Sequence, residues 1–298
     1  MISDTQRLLV VGGGGMLGHD VVRAAEALGY EVLTPGRVDL DLRDAAAMDK
    51  LRRMGPLWVN GVINCAAYTA VDRAQDEPME AFAINAKGAG SLAAVCAENV
   101  WPFIHVSTDF VFDGKKTTPY TEDDPTNPLG VYGKTKRAGE ELVMQMNPQA
   151  YIARTSWLFG VDGRCFPRTM IDAWRAGKTL RVVADQVGTP TYTGDLAPLL
   201  LQLLNLRPAP GIYHTAGPDV MSWHQFAELI LGVWQSVTDE PGEINVAPIA
   251  TSDWPTPAAR PAYSALSTAK LESLGLAPMR AMTEALTDYC RAYSAALG

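Results

Sequence analysis

The chain has 298 residues, 47% of them hydrophobic and 19% charged, which is enough apolar material for one large domain or two unequal ones. Its formal net charge of −8 argues against a nucleic-acid partner or an anionic membrane surface. Cys65, Cys96, Cys165 and Cys290 are scattered, with no C-x-x-C pair and no ligand spacing for a metal, so they read as reduced thiols.

Taken in chain order, Arg7 to Val11 reads as a short buried strand running straight into Gly12-Gly13-Gly14-Gly15-Met16-Leu17-Gly18. Leu17, Val21, Ala25 and Leu28 then recur at helical spacing, giving an amphipathic helix ended by Gly29. Strand, glycine turn and helix N-terminus in that order form an anion site. Glycines let the backbone approach a pyrophosphate, and the helix end offers unpaired N–H groups and a partial positive charge. The spacing is G-x-x-G-x-x-G (Gly12, Gly15, Gly18) and its context predicts dinucleotide binding. Tyr30 to Thr34 reads as the second strand, near whose end an NAD site places an acid for the ribose 2′-hydroxyl. Here Thr34-Pro35-Gly36-Arg37 carries no carboxylate and one guanidinium, which suits a 2′-phosphate and hence NADPH. Asp39 and Asp41 follow closely enough to fold back, so NADH stays open, and a solvated loop arginine is the plainer reading of Arg37.

Trp58 to Asn64 reads as a strand ending in Cys65-Ala66-Ala67-Tyr68, whose small residues would let a cofactor approach. A helical stretch starts at Pro78 with Asn85 inside it, a second helix runs from Gly90 to Glu98, and a strand spans Phe103 to Ser107. Tyr132-Gly133-Lys134-Thr135-Lys136 comes next and places a phenol and an ammonium on one helical face. A free phenol, with a pKa of about 10, is a poor proton donor at neutral pH, and a neighbouring cation favours the phenolate. That spacing alone also fits a solvated surface pair. Tyr151 to Arg154 is a further strand. Repeated β-α-β units predict an α/β fold: a Rossmann-type doubly wound parallel sheet binding ligands at its carboxyl strand ends.

From about Cys165 the pattern loosens and proline becomes frequent, which reads as a smaller, partly interleaved C-terminal substrate lobe. The expected division is a dinucleotide-binding domain over residues 1–155, completed by parts of 168–208, with 156–167 and 209–298 forming the lobe. His19, His105 and His214 read as packed or surface histidines, and Ser222-Trp223-His224-Gln225 as a helix capping box. Met1 to Gln6 is too short and polar for a signal peptide, and no apolar run approaches the roughly 18 residues of a membrane span. A cytoplasmic protein is expected, with no metal site; a Mg²⁺ requirement is not inferable.

Together, the glycine turn, Asn64-Cys65-Ala66-Ala67-Tyr68-Thr69-Ala70-Val71-Asp72, Ser107-Thr108-Asp109-Phe110-Val111-Phe112-Asp113-Gly114 and Pro128-Leu129-Gly130-Val131-Tyr132-Gly133-Lys134-Thr135-Lys136 resemble the extended short-chain dehydrogenase/reductases. Within them the chain is most similar to the dTDP-4-dehydrorhamnose reductase family. The likeness continues through Arg154-Thr155-Ser156-Trp157, Asp185 to Thr191, Gly211 to His214 and Arg260 to Ser264. Two departures are visible: four consecutive glycines, and Phe110 in place of a more usual tyrosine.

The resemblance implies reduction of the C4 ketone of a dTDP-4-keto-6-deoxysugar, dTDP-4-dehydro-6-deoxy-L-mannose, to dTDP-L-rhamnose. Tyr132 would give the proton, Lys136 would tune it and hold the nicotinamide ribose, and Thr108 would donate to the carbonyl. Asp109 and Trp157 would contact the sugar or nucleotide, although Trp157 on its own reads as a core aromatic. Cofactor contacts are expected at Gly12, Gly15, Met16, Leu17, Gly18, Arg37, Asp41, Leu42, Ala66, Ala67, Tyr68, Tyr132 and Lys136. A homodimer is compatible with the resemblance. Two other functions compete: a 4-ketoreductase for another dTDP-4-keto sugar, and a non-catalytic regulatory subunit, which the presence of Tyr132, Lys136 and Thr108 together disfavours. Dehydration would need a second carboxylate after Asp109, where Phe110 stands.

Overall fold

The structure, a computed structural model, describes residues 6–297; Met1 to Thr5, part of the leader considered above, lie outside the described residues. The first half of the sheet is built from β1 (Arg7–Val11), α1 (Met16–Ala27), β2 (Glu31–Leu33), α2 (Ala45–Arg52) and β3 (Gly61–Asn64). It continues through α3 (Pro78–Phe82), α4 (Ala89–Glu98), β4 (Phe103–Thr108), α5 (Val131–Met146) and β5 (Tyr151–Thr155). Then come β6 (Leu158–Phe159), α6 (Phe166–Arg175), β7 (Leu180–Val183), β8 (Val187–Gly188), β9 (Thr191–Tyr192), α7 (Thr193–Leu206) and β10 (Gly211–His214). The remaining elements are β11 (Met221–Ser222), α8 (Trp223–Thr238), β12 (Val246–Ile249), α9 (Ala269–Glu272) and α10 (Met282–Leu297).

Six strands form one parallel sheet in the order β10-β5-β4-β3-β1-β2. From β1 the chain winds outward to β2, then crosses to β3 and winds the other way. The carboxyl ends of β1 and β3 therefore flank the switch point, where such sheets open a crevice. Strand alternation explains why both faces need helices. Leu8 and Val10 of β1 pack with Val21 of α1 and the leucines of α7, whereas Leu9 and Val11 pack with Met48 of α2, Leu92 of α4 and Val143 of α5.

Three differences from the sequence expectations bear on the site. The strands after Tyr30 and Trp58 are shorter than read, Glu31–Leu33 and Gly61–Asn64. The two helices expected around Asn85 are one continuous run, joined by a π-turn over Ala83–Gly88. Gly211–His214, assigned to the smaller lobe, is instead the edge strand of the main sheet, paired in register with Tyr151–Arg154. Its pairing is long-range, so local pattern carries no sign of it.

Apart from α7 and α9, which pack on the sheet, the C-terminal half packs largely around Phe159, Ile171, Phe226, Ile230, Trp234, Leu286 and Tyr289, with short two-stranded ladders β11-β8, β12-β7 and β6-β9. Ser222 caps α8: its hydroxyl accepts from the Gln225 N–H while the Gln225 side chain accepts from the Ser222 N–H. The lobe reaches back over the sheet through Arg260, whose guanidinium grips both oxygens of Asp72 at 2.5 and 2.7 Å. Among the described residues no helix is long and apolar enough to cross a membrane.

Candidate active site

A cleft of about 1050 Å³ opens at the switch point, above the roughly 300–1000 Å³ of a usual small-molecule site and so with room for two ligands. Its floor is the turn after β1. Gly12 takes a φ of +80°, and a Cβ there would lie 2.6 Å from the Ala66 amide nitrogen. A Cβ on Gly18 would lie 2.2 Å from the Gly12 carbonyl oxygen. Glycine at these two positions lets the turn fold under α1 and against the loop after β3. No side chain caps the N-terminus of α1, so its first N–H groups are left for a ligand. This cradle fits the pyrophosphate of a dinucleotide. Gly15, Met16, Leu17, Ala66 and Ala67 line the cleft.

Arg37, Asp41 and Leu42 line the same cleft at the far end of the sheet. Arg37 is 65% exposed and only loosely held, 3.4 Å from Glu80 and 3.7 Å from Asp41. Arg43, which the sequence reading passed over, binds Asp41 and Glu80 much more closely, both at 2.5 Å. Hydrogen bonding to Arg43 holds the Asp41 carboxyl well below its usual range, so it stays ionised and occupied. Arg37 is thus the guanidinium free to turn toward a 2′-phosphate, and water screens it. An exposed pair contributes less than about 1 kcal/mol. NADPH should therefore be preferred over NADH by less than about tenfold in kcat/KM, and Arg37→Asp should abolish or invert the ratio. A ratio left unchanged by that substitution would make Arg37 an uninvolved loop residue.

Tyr132, Lys136, Thr108 and Asp109 share one wall. Thr108 ends β4, and its hydroxyl donates to Asp109 Oδ1 at 3.0 Å and accepts from the Phe110 N–H at 3.2 Å. Burial pushes the Tyr132 phenol up to about 12; the facing Thr108 hydroxyl pulls it down, and the Asp109 charge pushes it further up. This corrects the expectation that Lys136 lowers it. In this structure Lys136 turns away from the phenol, donating to the Val106 carbonyl at 2.6 Å and lying 3.4 Å from His105 Nε2. Burial brings the amine down to about 8, with Glu140 and Cys65 opposing. Tyr132 thus holds its proton at neutral pH and is a weaker acid than a free phenol, so it gives the proton up only to a strong base such as a developing alkoxide. Asp109, 2% exposed, is raised to about 6 by burial, while hydrogen bonds from Ser264 and Thr108 act against that. Its Oδ2 is buried without a partner, an acceptor still to be satisfied.

Second-layer groups set this wall. Asn85, carried on the π-turn, donates to the Tyr68 carbonyl and to the Thr135 hydroxyl, and accepts from the Tyr68 N–H at 2.7 Å. It ties the loop after β3 to α5. Tyr68 does not line the cleft: its phenol turns out to Glu77 at 2.7 Å, while Cys65, Ala66, Ala67, Thr69 and Val71 of that loop do line it. Trp157 does line it, and also packs on the lobe core. Its backbone has a φ of +46°, and its indole stacks on Trp223 with centroids 3.5 Å apart. The sequence reading gave no site role to Ser264 or Arg164, near or in the cleft, and read His105 as a packed or surface histidine. For His105 a signal existed: it pairs across the sheet with Asn64, two polar residues facing each other in apolar strands.

Residues 6–295 match the family described as the RmlD substrate binding domain. A dTDP-4-dehydrorhamnose reductase of Mycolicibacterium smegmatis is 41% identical over 285 residues, covering 95% of this chain and 84% of that one. A probable dTDP-4,6-dihydroxy-2-methyloxan-3-one 4-ketoreductase of Streptomyces antibioticus is 38% identical, covering 95% of this chain and 94% of that one. A dTDP-4-dehydrorhamnose reductase of Bacillus anthracis, solved in complex with NADP, superimposes with a TM-score of 0.89 at 31% identity, covering 96% of this chain and 98% of that one. The matched blocks run from the glycine turn through the tyrosine–lysine helix to the C-terminal lobe, and the chain belongs to the dTDP-4-dehydrorhamnose reductase family of extended short-chain dehydrogenase/reductases.

Proposed function

We propose that the protein reduces the C4 ketone of dTDP-4-dehydro-6-deoxy-L-mannose to dTDP-L-rhamnose with NADPH. Family membership makes it an oxidoreductase of the dTDP-sugar 4-ketoreductase class. The observation that carries ketone reduction is the wall of Tyr132, Thr108 and Asp109 beside a glycine cradle, with no second carboxylate after Asp109, and the relatives named dTDP-4-dehydrorhamnose reductase favour that sugar. When bound, the reduced nicotinamide supplies the hydride. The chain supplies the rest: Thr108 turns its one hydroxyl proton from Asp109 Oδ1 to the carbonyl oxygen, and Tyr132 delivers a proton to that oxygen as it becomes an alkoxide. Asp109 Oδ2 accepts from a sugar hydroxyl. Trp157 offers a flat apolar wall, and Phe110 packs edge-to-face on the Tyr132 ring with centroids 5.7 Å apart. The division into a dinucleotide-binding domain and a substrate lobe is kept, with β10 moved to the former.

The Streptomyces antibioticus relative supports a second reading, reduction of another dTDP-4-keto-deoxysugar, because the Tyr132–Thr108 chemistry does not depend on the sugar's other stereocentres. NADPH oxidation measured with dTDP-4-dehydrorhamnose beside a panel of other dTDP-4-keto sugars separates the two. The highest kcat/KM should fall on dTDP-4-dehydrorhamnose; a larger value for another sugar reassigns the substrate, and no oxidation with any of them defeats both readings.

A further inference from the structure

Buried beneath the cleft wall, Asn64 and His105 sit directly opposite each other on β3 and β4, both essentially without solvent contact. Asn64 Oδ1 accepts from the Ala66 N–H at 3.1 Å, which fixes the orientation of the amide. The other end, Nδ2, then faces His105 Nδ1 at 3.0 Å and can only donate to it. Nδ1 is therefore an acceptor. Burial, with Lys136 adding to it, holds the imidazole neutral, so its single proton resides on Nε2. That N–H points at Lys136 Nζ, 3.4 Å away. An ammonium has donors only, so a charged Lys136 in this inward position meets a donor it cannot satisfy, whereas a neutral amine accepts the bond.

We infer that His105 is a positioning residue for Lys136: its Nε2–H disfavours the ammonium on the inward perch at Val106 and so directs the charged side chain into the cleft beside Tyr132. The inference rests on the proposed ketone reduction and on the expectation from the resemblance that Lys136 works in the cleft as a cation, holding the nicotinamide ribose beside Tyr132. Other groups facing the amine do not supply this bias. The Val106 carbonyl accepts from either form. Cys65, at the end of β3, carries a thiol pushed up to about 12 by burial, with Lys136 opposing, and so stays neutral. Glu140, one turn along α5, favours the cation but is gripped by Arg154 at 2.8 Å on both oxygens. Tyr132 lies on the same helix face, and Asp109, directly after β4, acts on that phenol.

Two measurements test the inference. Imidazole ¹⁵N spectra of the intact protein report the tautomer, with His105 assigned by its loss in His105→Gln. Protonation at Nε2 is expected, and an Nδ1–H tautomer would overturn the proposal without reference to any substrate. The pH profile of kcat/KM for ketone reduction is then compared between wild type and the His105→Gln and His105→Phe variants. The alkaline limb of the wild type should lie near 8, where Lys136 loses its proton. His105→Phe removes the donor, so its limb should move up by about one unit, retaining about tenfold more of the plateau rate above it, whereas His105→Gln can present an amide N–H in the same place and should leave the limb near that of wild type. The kcat of His105→Phe at pH 7 should fall several-fold, since the ammonium can now rest inward. A limb for His105→Phe superimposed on that of wild type, with unaltered melting, would show that His105 only fills space. Absence of ketone reduction by wild type would instead overturn the proposed function and leave the tautomer result to judge His105.

Discussion

Tyr132→Phe should lower kcat by roughly 10²–10⁴-fold, the range for losing a positioned general acid, with dinucleotide affinity close to that of wild type. The phenylalanine keeps the edge-to-face contact with Phe110 and the fill of the wall, so packing is nearly unchanged. What disappears is the hydroxyl proton, which burial holds in place up to about 12. Single-turnover reduction followed by nicotinamide absorbance isolates the chemical step. Wild-type turnover in this variant would remove Tyr132 from the mechanism and shift the proton-donor role to another hydroxyl of the cleft, Thr108 first.

The second large effect is on stability. Arg154 and Glu140 are each about 1% exposed and joined by two bonds of 2.8 Å, with Ser107 donating to the same carboxylate at 2.6 Å. Arg154→Met should cost about 3–5 kcal/mol, because it strands a buried carboxylate whose remaining cation, Arg137, stands 3.6 Å off. Arg154→Met combined with Glu140→Leu should recover much of that loss, since two apolar groups leave no uncompensated charge. Urea unfolding of the three proteins checks both statements. A single variant losing less than about 1 kcal/mol would mean water reaches Glu140. This pair fastens β5 to α5, and α5 carries both Tyr132 and Lys136, so the site's helix is anchored by a charge pair far more buried than the Arg37 network at the cleft's other end.

The parts legible in the sequence were those decided locally. A five-residue apolar strand followed by glycines can do little else but turn into a helix, and Gly12 and Gly18 stand where a Cβ would collide with backbone. The four-residue spacing of Tyr132 and Lys136 places them on one face once the segment is helical, and it is. What stayed hidden depends on groups distant in the chain. Gly211–His214 joins the sheet because β5 offers it an edge, a pairing no window of residues contains. Lys136 was expected to face the phenol, yet it bonds the Val106 carbonyl and His105, thirty residues or more away in sequence. Tyr68 was placed on the cofactor by its neighbours Ala66 and Ala67, but Glu77 draws its phenol outward. Spacing tells which side chains share a face; it does not tell which buried acceptor each will choose.

Deuterium transfer tests the central claim most directly. The protein is incubated with dTDP-4-dehydrorhamnose and NADPH carrying deuterium at both C4 positions of the nicotinamide, and the product is examined by NMR and mass. One deuterium should appear on C4 of the sugar, with one NADPH consumed per product. A product lacking deuterium at C4, or sugar transformed without oxidation of the nucleotide, would contradict reduction at that carbon.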